Sequence, residues 1–389
     1  MFKVRTYNQI SAKGLERFPR ERYEIASEFS QPDAVLLRSQ KLHDEVIPDS
    51  VKAVARAGAG VNNIPVADYT RRGIVVFNTP GANANAVKEL VASALFMASR
   101  DIFGGMSYVQ GLTHITDATE MSRLLEKEKK QFAGCEVAGK RLGVVGLGAI
   151  GALVANMAVE LGMEVLGYDP AISVEAAWRL SRRIQKVENL QSLLAQSDFI
   201  TLHVPAIPVT HHMINSEMLR CAKASAILLN FAREEVVDIG AVIAALDGNR
   251  LAKYVTDFPV PELLGRQDVL LMPHIGASTE EAEENCAVMA ADQLMDYLEN
   301  GNIRNSVNFP SARMDRNGGH RLTFCNENVP GVLGHVLSLL ADRGINVIDM
   351  MNQSRADIAY NIIDVEAEPG EELLAAVRAV EGVVRVQAL

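Results

Sequence analysis

The chain has 389 residues, of which 48% are hydrophobic, and its formal net charge is −10 at pH 7. This length exceeds one ordinary hydrophobic core and predicts two or three domains. The acidic balance argues against nucleic acid or an anionic membrane as a partner, so an anionic ligand would need local arginines.

The four cysteines lie far apart and form neither a C-x-x-C motif nor a Cys/His cluster. This spacing argues against a disulfide framework and a metal site, and it favours a reducing cytoplasm. The N-terminus lacks the apolar core of a signal peptide, so we expect no export. The uncharged stretch from Leu142 to Val159 is long enough to span a membrane, but its four glycines predict a strand, a turn and a helix instead.

Short apolar runs alternate with helical patterns over most of the chain, which is typical of α/β domains with parallel sheets. The first group of predicted strands comprises Phe2 to Tyr7, Ala34 to Leu37, Ala53 to Ala55 and Ile74 to Phe77. A helical pattern over residues 88–111 then predicts one long helix that joins two domains.

A second group of strands follows this helix. Its members are predicted near Arg141 to Val145, Glu164 to Tyr168, Phe199 to His203, Ala226 to Asn230, Tyr254 to Asp257 and Val269 to Met272. Residues 280–302 form another helical pattern, with glutamates in its first turn and Gly301 at its end.

The C-terminal part of the chain differs in pattern. Residues 310–319 are rich in proline, glycine and charge, and they predict a linker. Residues 320–389 then predict strand, helix, strand, strand, helix and strand, which is a ferredoxin-like α+β order. The predicted fold class is therefore two doubly wound parallel-sheet α/β domains and a small ferredoxin-like domain.

The sequence GLGAIG at residues 146–151 lies between a predicted strand and a predicted helix. Gly146 allows a tight turn, Gly148 lets the backbone approach a pyrophosphate, and Gly151 lets the helix pack closely on the strand. Asp169 ends the next strand, where a carboxylate can bind the ribose hydroxyls and would repel a 2′-phosphate. The pattern predicts NAD as cofactor, and the alternative is a glycine-rich packing turn with a surface aspartate.

Three charged or titratable residues, Arg233, Glu262 and His274, each follow a predicted strand of the second group. Ligands of open α/β sheets bind beyond the carboxyl ends of the strands, so these residues can converge on one crevice. A histidine can accept a hydroxyl proton, a carboxylate favours its imidazolium form, and an arginine can bind a substrate carboxylate. Together they predict oxidation of an alcohol by NAD, although each alone also fits a solvated loop charge or a helix cap.

Four segments, GLGAIG, NFAREEVVD, TDFPVPE and PHIGAST, resemble the successive motifs of the D-isomer-specific 2-hydroxyacid dehydrogenases over residues 30–309. The segments NENVPGVL and GINVIDMM resemble an ACT domain, a small amino-acid-binding regulatory module. The resemblance implies a flavodoxin-like substrate-binding domain and a Rossmann NAD-binding domain, followed by a linker and an ACT domain. The implied boundaries are 1–97 with 277–309 for the substrate domain, 98–276 for the NAD domain, 310–319 for the linker and 320–389 for the ACT domain.

The resemblance also implies roles for individual residues. Arg233, Glu262 and His274 match the catalytic set, and Asp257 matches the acid that holds the nicotinamide amide. Positions that match the lining of the NAD pocket are Ala149, Ile150, His203, Val204, Pro205, Thr210, Phe231, Ala232 and Gly276. Positions that match substrate contacts are Arg38, Ser39, Arg56, Gly58, Ala59, Gly60 and Asn83. The implied substrate is a phosphorylated 2-hydroxy acid, 3-phosphoglycerate, which would be oxidised to 3-phosphohydroxypyruvate in the first step of serine synthesis.

Several features leave alternatives open. Glu234 and Glu235 follow Arg233 where the family usually has glycine, so they either face solvent or weaken anion binding. The stretch between Glu262 and His274 is also shorter than in many relatives. In the ACT segment, Asn328 and Asn346 match positions that contact serine in regulated relatives, whereas Asn326 stands where those often have histidine. The module therefore either binds serine or serves assembly alone.

Other functions stay open at this point. The chain could oxidise another D-2-hydroxy acid, such as glycerate, lactate or 2-hydroxyglutarate, or it could be a non-enzymatic NAD-sensing protein. The resemblance further implies a homodimer or homotetramer, formed through the helix at residues 88–111 and by pairing of ACT modules edge to edge.

Overall fold

The computed structural model describes residues 1–389, except for the side chain of Glu175. The chain divides into two compact units, one formed by Met1–Asn83 with Glu280–Leu389 and the other by Ala84–Thr279. Two parallel sheets and one antiparallel sheet are present, which confirms the predicted fold class.

The first unit begins with a five-stranded parallel sheet of order β2-β1-β3-β4-β5. Its elements are β1 (Phe2–Thr6), α1 (Ala12–Leu15), β2 (Tyr23–Ala26), β3 (Ala34–Leu37), β4 (Ala53–Arg56), α2 (Val66–Arg71) and β5 (Val75–Phe77). The central strands are almost fully buried, as parallel sheets covered on both faces require. The sequence did not predict β2, because this edge strand places the exposed Glu24 among its apolar residues.

The second unit holds a seven-stranded parallel sheet of order β12-β11-β10-β9-β6-β7-β8. Its helices are α3 (Ala84–Ser99), α4 (Ile102–Gly111), α5 (Ala118–Glu128), α6 (Ala149–Glu160), α7 (Val174–Trp178), α8 (Leu190–Gln196), α9 (Ser216–Cys221) and α10 (Ile239–Asp247). Its strands are β6 (Arg141–Val145), β7 (Glu164–Tyr168), β8 (Gln185–Lys186), β9 (Phe199–Leu202), β10 (Ile227–Asn230), β11 (Lys253–Thr256) and β12 (Val269–Leu271). Only the short exposed edge strand β8 was absent from the predicted strands.

The helix predicted over residues 88–111 is in fact two helices, α3 and α4. The break occurs at Asp101, whose side chain accepts a hydrogen bond from the Gly104 amide at 2.9 Å and so caps α4. Helix α3 buries Val91 in the core of the second unit. For this reason the boundary between the compact units falls after Asn83, earlier than the predicted residue 97.

The uncharged stretch from Leu142 to Val159 folds as β6, a turn and α6, as predicted. Among the described residues, no helix combines the length and the apolar character needed to cross a membrane.

Helix α11 (Glu280–Asn300) returns the chain to the first unit and ends, as predicted, at Gly301, whose φ is +69°. Alanines and leucines on one side of α11, among them Ala290 and Leu294, are buried in the same core as the first sheet. Glutamates occupy its first turn, where the helix dipole favours negative charge.

The C-terminal module contains β13 (His320–Glu327), α12 (Val332–Asp342), β14 (Val347–Arg355), β15 (Ile358–Val365), α13 (Glu371–Arg378) and β16 (Val383–Ala388). The antiparallel sheet has the order β14-β15-β13-β16, which confirms the predicted succession of elements. One face of the sheet packs on α12 and α13 through a compact apolar cluster that includes Phe324 and Val336.

The other face of this sheet packs against the first α/β domain. Cys325, Tyr360 and Ile362 belong to the same buried cluster as α11 and the first sheet. The Tyr360 hydroxyl donates a hydrogen bond to the Gly301 carbonyl at 2.7 Å. Arg385 of β16 donates to the carbonyls of Asp49 and Val51, just before β4. The module and the domain therefore share one core.

A fully buried ion pair reinforces this junction. The guanidinium of Arg321 contacts the Asp364 carboxylate at 2.6 Å, and both side chains have an exposure of 0%. Arg321 also donates to the carbonyl of Met314, which lies in the segment predicted as a linker. In that segment Ala312 and Met314 are buried, and Ala312 pairs with Ile303. The segment is thus packed into the first unit and is not a free tether.

Candidate active site

The glycine turn after β6 is shaped by close approaches of the main chain. Gly146 has a φ of +88°, and a Cβ there would lie 2.6 Å from the His203 carbonyl oxygen. A Cβ at Gly151 would collide with the Gly146 carbonyl oxygen. No atom lies within 4 Å of the corresponding position at Gly148, so the space in front of this residue is open. The turn therefore fits a pyrophosphate placed at the N-terminus of α6.

Asp169 lies at the end of β7, as predicted, and its carboxylate holds the backbone around the glycine turn. One oxygen accepts a hydrogen bond from the Leu147 amide at 2.8 Å, and the other accepts from the Ala171 amide at 2.9 Å. The side chain remains partly exposed, so it can also reach a ribose hydroxyl.

The segment after β9 forms the opposite side of the turn. Burial lowers the pKa of His203 to about 3, so this imidazole is neutral at physiological pH. Its Nε2 lies 2.9 Å from the Thr201 hydroxyl, whereas the buried Nδ1 has no hydrogen-bond partner. Thr210 donates to the Pro205 carbonyl at 2.5 Å and closes the loop. An unpartnered buried nitrogen beside an open turn suits a polar ligand.

Arg233, Asp257 and His274 follow three neighbouring parallel strands, β10, β11 and β12. The His274 amide donates to the Asp257 carbonyl at 2.9 Å, and the Gly276 amide donates to the Asp257 carboxylate at 3.0 Å. Burial raises the pKa of Asp257, while the Gly276 amide and the charges of His274 and Arg233 lower it in part. The other Asp257 oxygen is buried without a partner and is available to an amide donor. The predicted convergence at this edge of the sheet is thus present.

His274 has a left-handed backbone, with a φ of +48°, and an exposed side chain. Its amide donates to the Asp257 carbonyl at 2.9 Å, and its ring packs on Phe258 with the ring centroids 4.8 Å apart. Glu262 is exposed in a single 3-10 turn, Pro261–Leu263. Within the described part of the chain, no hydrogen bond or ion pair joins Glu262 to His274. The structure brings Arg233, Asp257 and His274 together and leaves Glu262 unpaired with the histidine.

Two buried polar residues that sequence reasoning missed hold the loops after β10 and β11 in place. The Asn230 side chain accepts from the Ala232 amide at 3.1 Å and donates to the Arg233 carbonyl at 2.9 Å. The Thr256 hydroxyl donates to the Asn230 carbonyl at 2.9 Å and accepts from the Phe258 amide at 3.1 Å. Each of these polar residues ends an otherwise apolar strand. This position was the signal in the sequence for a structural role, because buried polar groups need hydrogen-bond partners.

Glu234 and Glu235 are both exposed, which fits the first of the two alternatives given above. The short stretch between Glu262 and His274 is braced by Arg266. This arginine contacts both carboxylate oxygens of Asp268, at 2.9 and 2.8 Å, and Asp247 at 2.8 Å. Neither unusual feature of the sequence disturbs the arrangement of Arg233, Asp257 and His274.

In the first unit, the loop Gly58-Ala59-Gly60 is held through its carbonyl groups. The Gly58 carbonyl accepts from the Thr79 amide at 3.1 Å, and the Ala59 carbonyl accepts from the Asn78 side chain at 2.6 Å. The Arg56 guanidinium donates to the Gly60 carbonyl. The Gly58 amide donates to the Arg56 carbonyl at 2.9 Å. The amides that this loop is suited to present to an anion are therefore those of Ala59 and Gly60.

The other predicted substrate positions lie near this loop or at its flanks. Arg56 Nε donates to the Arg38 carbonyl at 2.9 Å, and the Arg38 side chain is paired with Glu283. Ser39 is exposed, and its amide donates to Asn8 at 3.0 Å. Asn83 is the last residue of the first segment of this unit, and its side-chain oxygen is buried without a partner.

Asn326, Asn328 and Asn346 of the C-terminal module do not meet within one chain. Asn326 is buried, and its side-chain oxygen accepts from Asn361 at 2.8 Å. Asn328 donates to the Ala356 carbonyl at 3.0 Å, beside the start of β15. Asn346 donates to Glu366 at 2.9 Å, beyond the far end of that strand. Asn326 and Asn328 thus lie at one end of the sheet and Asn346 at the other.

Comparison with known proteins agrees with this geometry. Residues 105–276 match the profile of the D-isomer specific 2-hydroxyacid dehydrogenase, NAD binding domain, and residues 320–382 match the ACT domain. The D-3-phosphoglycerate dehydrogenase of Escherichia coli (strain K12) is 34% identical over 369 residues, which cover 91% of this chain and 86% of that protein. The chain belongs to the D-isomer-specific 2-hydroxyacid dehydrogenase family. It is therefore an NAD-dependent oxidoreductase with an ACT domain.

Further relatives and solved structures are similar to this chain in sequence or in fold. The D-3-phosphoglycerate dehydrogenase of a Synechocystis strain is 38% identical over 75% of this chain, although the match spans only 51% of that longer protein. Among solved structures, the NAD⁺-bound 3-phosphoglycerate dehydrogenase of Entamoeba histolytica superposes with a TM-score of 0.59 at 25% identity, covering 79% of this chain and 98% of that one. A D-2-hydroxyisocaproate dehydrogenase has the same fold, with a TM-score of 0.64 at 23% identity over 79% of this chain and all of that one.

Proposed function

We propose that the chain oxidises D-3-phosphoglycerate to 3-phosphohydroxypyruvate, the first step of serine synthesis. The observation that carries this proposal is the placement of Arg233, Asp257 and His274 after three neighbouring parallel strands, at the carboxyl edge of a sheet whose glycine turn fits NAD. The relatives named D-3-phosphoglycerate dehydrogenase, which match across most of the chain, support the choice of substrate.

Different residues of the chain have different roles in this reaction. NAD, when bound, accepts a hydride from the substrate carbon that carries the hydroxyl group. We assign His274 as the base that takes the hydroxyl proton, because its ring is exposed next to the cofactor side of the sheet. Arg233 binds the substrate carboxylate through paired hydrogen bonds. Asp257 offers its unpartnered buried oxygen to the nicotinamide amide.

Glu262 is the proposed partner of the His274 imidazolium. The two residues follow adjacent parallel strands, since Thr256 of β11 is in register with Leu271 of β12. A carboxylate beside the ring would favour the protonated form that returns the proton in the reverse reaction. Catalytic hydrogen bonds often tighten only when ligands bind, which fits a pair that is open in the structure.

Residues of the first unit would bind the phosphate of the substrate. Arg38 and Arg56 supply the local positive charge that an acidic chain needs for a phosphate, and the Gly58–Gly60 loop supplies amides. Ser39 and Asn83 complete the proposed substrate contacts. On the cofactor side, the proposed NAD contacts are Gly146, Gly148, Ala149, Ile150, Gly151, Asp169, His203, Val204, Pro205, Thr210, Phe231, Ala232, Asp257 and Gly276.

The test is NADH formation by the purified protein with D-3-phosphoglycerate, run beside D-glycerate, D-lactate and D-2-hydroxyglutarate. We expect turnover selective for the phosphorylated acid, and a fall in kcat of roughly 100-fold or more in His274→Gln, because general-base catalysis contributes about that much. The affinity for NAD should stay unchanged in this variant. Activity on an unphosphorylated acid alone would contradict the substrate, and NAD binding without any turnover would favour an NAD sensor.

We also propose that the protein is a homo-oligomer, a dimer or a tetramer. Helix α4 has no buried residue and exposes Phe103 and Met106, whose exposed fractions are 68% and 63%. Strand β14 is an edge strand of the ACT sheet and carries the exposed Ile348 and Met350. Both features suit contacts with a second copy of the chain. A reducing cytoplasm is the proposed compartment, which the free cysteines support.

Pairing of two β14 strands would also form a binding site for the proposed effector, serine. If two β14 strands pair antiparallel about a two-fold axis, the beginning of one strand meets the end of the other. Asn346 of one copy would then approach Asn328 of the other, so a site that is divided within one chain would be completed between two. Asn326 is held by Asn361 and would support this site from within the sheet. Serine added to the assay should inhibit a protein of this design, and an ACT module used for assembly alone would leave the rate unchanged.

A further inference from the structure

Arg38, a proposed phosphate-binding residue, already has a carboxylate partner. Its Nη2 lies 2.5 Å from Glu283 Oε1, and the two side chains are 42% and 43% exposed. Arg38 follows β3, and Glu283 lies in the first turn of α11. We propose that Glu283 is a built-in counter-ion of the substrate site and sets how tightly this site binds a phosphomonoester.

Arg38, Arg56 and Glu283 form one charged group. Arg38 is paired with Glu283, and the Arg56 guanidinium donates to the Gly60 carbonyl. Burial raises the pKa of the nearby Cys286 thiol most, while the charges of Arg38 and Arg56 lower it and that of Glu283 raises it. Arg56 is in turn bonded to the Arg38 backbone, with 2.9 Å from Nε to the carbonyl oxygen. Two guanidinium groups and one carboxylate therefore share a small volume next to the Gly58–Gly60 loop.

The net charge of this group determines how Glu283 affects the binding of a phosphate. Two arginines and one glutamate give the group a formal charge of +1, whereas the phosphate of the substrate carries a charge of about −1.5 to −2 at pH 7. This phosphate must compete with Glu283 for the Arg38 guanidinium, and the remaining carboxylate repels it. Removing one negative charge near such an anion should tighten its binding about 5- to 10-fold at low salt, and less at high salt.

The inference rests on the proposed function, because it takes the phosphate of 3-phosphoglycerate to be the group that Arg38 meets. D-glycerate has the same carboxylate and hydroxyl groups but no phosphate. A counter-ion role for Glu283 therefore affects the two substrates differently, whereas a general loss of structure would affect both.

The test is Glu283→Gln. Glutamine keeps a side-chain oxygen that can accept the Arg38 hydrogen bond, and it removes the charge alone. We expect the KM for 3-phosphoglycerate to fall about 5- to 10-fold, with kcat within about twofold and the KM for D-glycerate unchanged. The difference should shrink as ionic strength rises.

Glu284→Gln is the matched control. It removes the same charge one residue along α11, where Glu284 pairs with Lys13 at 2.5 Å instead of Arg38. We expect this variant to keep the wild-type KM. Equal KM values in the wild type and both variants, or a rise in KM for Glu283→Gln, would overturn the counter-ion role.

Calorimetric titration with 3-phosphoglycerate separates this inference from the proposed function. Tight binding without turnover by the wild type would contradict the proposed reaction alone, and the Kd values of the variants would still measure the role of Glu283. Identical Kd values for all three proteins would contradict the counter-ion role alone. No binding by the wild type would contradict both.

Discussion

The glycine turn and the proposed catalytic loops, which follow β10, β11 and β12, lie at the same edge of the second sheet, but they are built in different ways. The turn is defined by main-chain contacts among Gly146, Gly151 and the His203 carbonyl, which no ligand is needed to form. The catalytic loops present Arg233 and His274 on exposed side chains. A site made of backbone is complete once the chain folds, whereas a site made of exposed side chains is completed by its ligands.

The largest expected effect comes from a substitution that disrupts the main-chain contacts of the glycine turn. Because a Cβ at Gly151 would meet the Gly146 carbonyl oxygen, Gly151→Ala must displace α6 from the turn. We expect NAD affinity to fall roughly 100-fold or more, together with a lower Tm, since overpacking costs about 1–3 kcal/mol. Calorimetry and thermal unfolding measure the two effects.

Gly148→Ala is the control for this change. Its φ of −67° and the open space around it tolerate a methyl group without strain. This variant should keep the wild-type Tm and still bind NAD more weakly, because the methyl group stands where the pyrophosphate approaches. Gly151→Ala with unchanged Tm and NAD affinity would show that the turn is softer than its contacts indicate.

A smaller effect concerns His203, the neutral imidazole beneath the turn. Its folded-state pKa is about 3, below the unfolded value of roughly 6.5, so the unfolded chain binds the proton more tightly in this range. The stability that this residue contributes is therefore present above about pH 6.5 and is lost as the pH falls towards 3, by at most about 1.4 kcal/mol per pH unit.

Urea unfolding between about pH 7 and pH 5 measures this contribution. His203→Asn should lose stability less steeply with falling pH than the wild type does. His211→Asn removes an exposed histidine of the same loop region and should keep the wild-type slope. Equal slopes in all three proteins would mean that the His203 ring gains a proton without unfolding.

The smallest expected effect lies in the catalytic loops. Glu234 and Glu235 are exposed beside Arg233, so solvent screens their charges from the substrate. We expect the double variant Glu234→Gln with Glu235→Gln to change the KM for 3-phosphoglycerate by less than about threefold at physiological salt. Steady-state kinetics at two ionic strengths check this, and a large salt-sensitive fall in KM would show that these acids reach the anion.

The sequence predicts the backbone features of this protein better than its side-chain pairings. The bounds of β6 and β7 and the turn between strand and helix follow from apolar runs and glycines, since these constraints are local. The sequence did not predict the break between α3 and α4, because the apolar periodicity continues through Asp101. The capping aspartate itself is the only local signal of this break. The Arg38–Glu283 pair joins residues far apart in the chain, so no local pattern could reveal it.

The packing of the ACT sheet on the first α/β domain has a consequence for how such a gene can be recombined. Gly318 and Gly319 suggest a natural junction, yet a Cβ at Gly319 would collide with the Val365 carbonyl oxygen. A chimera joined at this point would receive a foreign sheet without partners for α11, and the Met314 carbonyl would lose the buried Arg321 guanidinium that donates to it. The part of the chain that can be exchanged without dividing this shared core is therefore the whole first unit, residues 1–83 together with 280–389. Exchange of the ACT module alone would require its docking face to be transplanted with it.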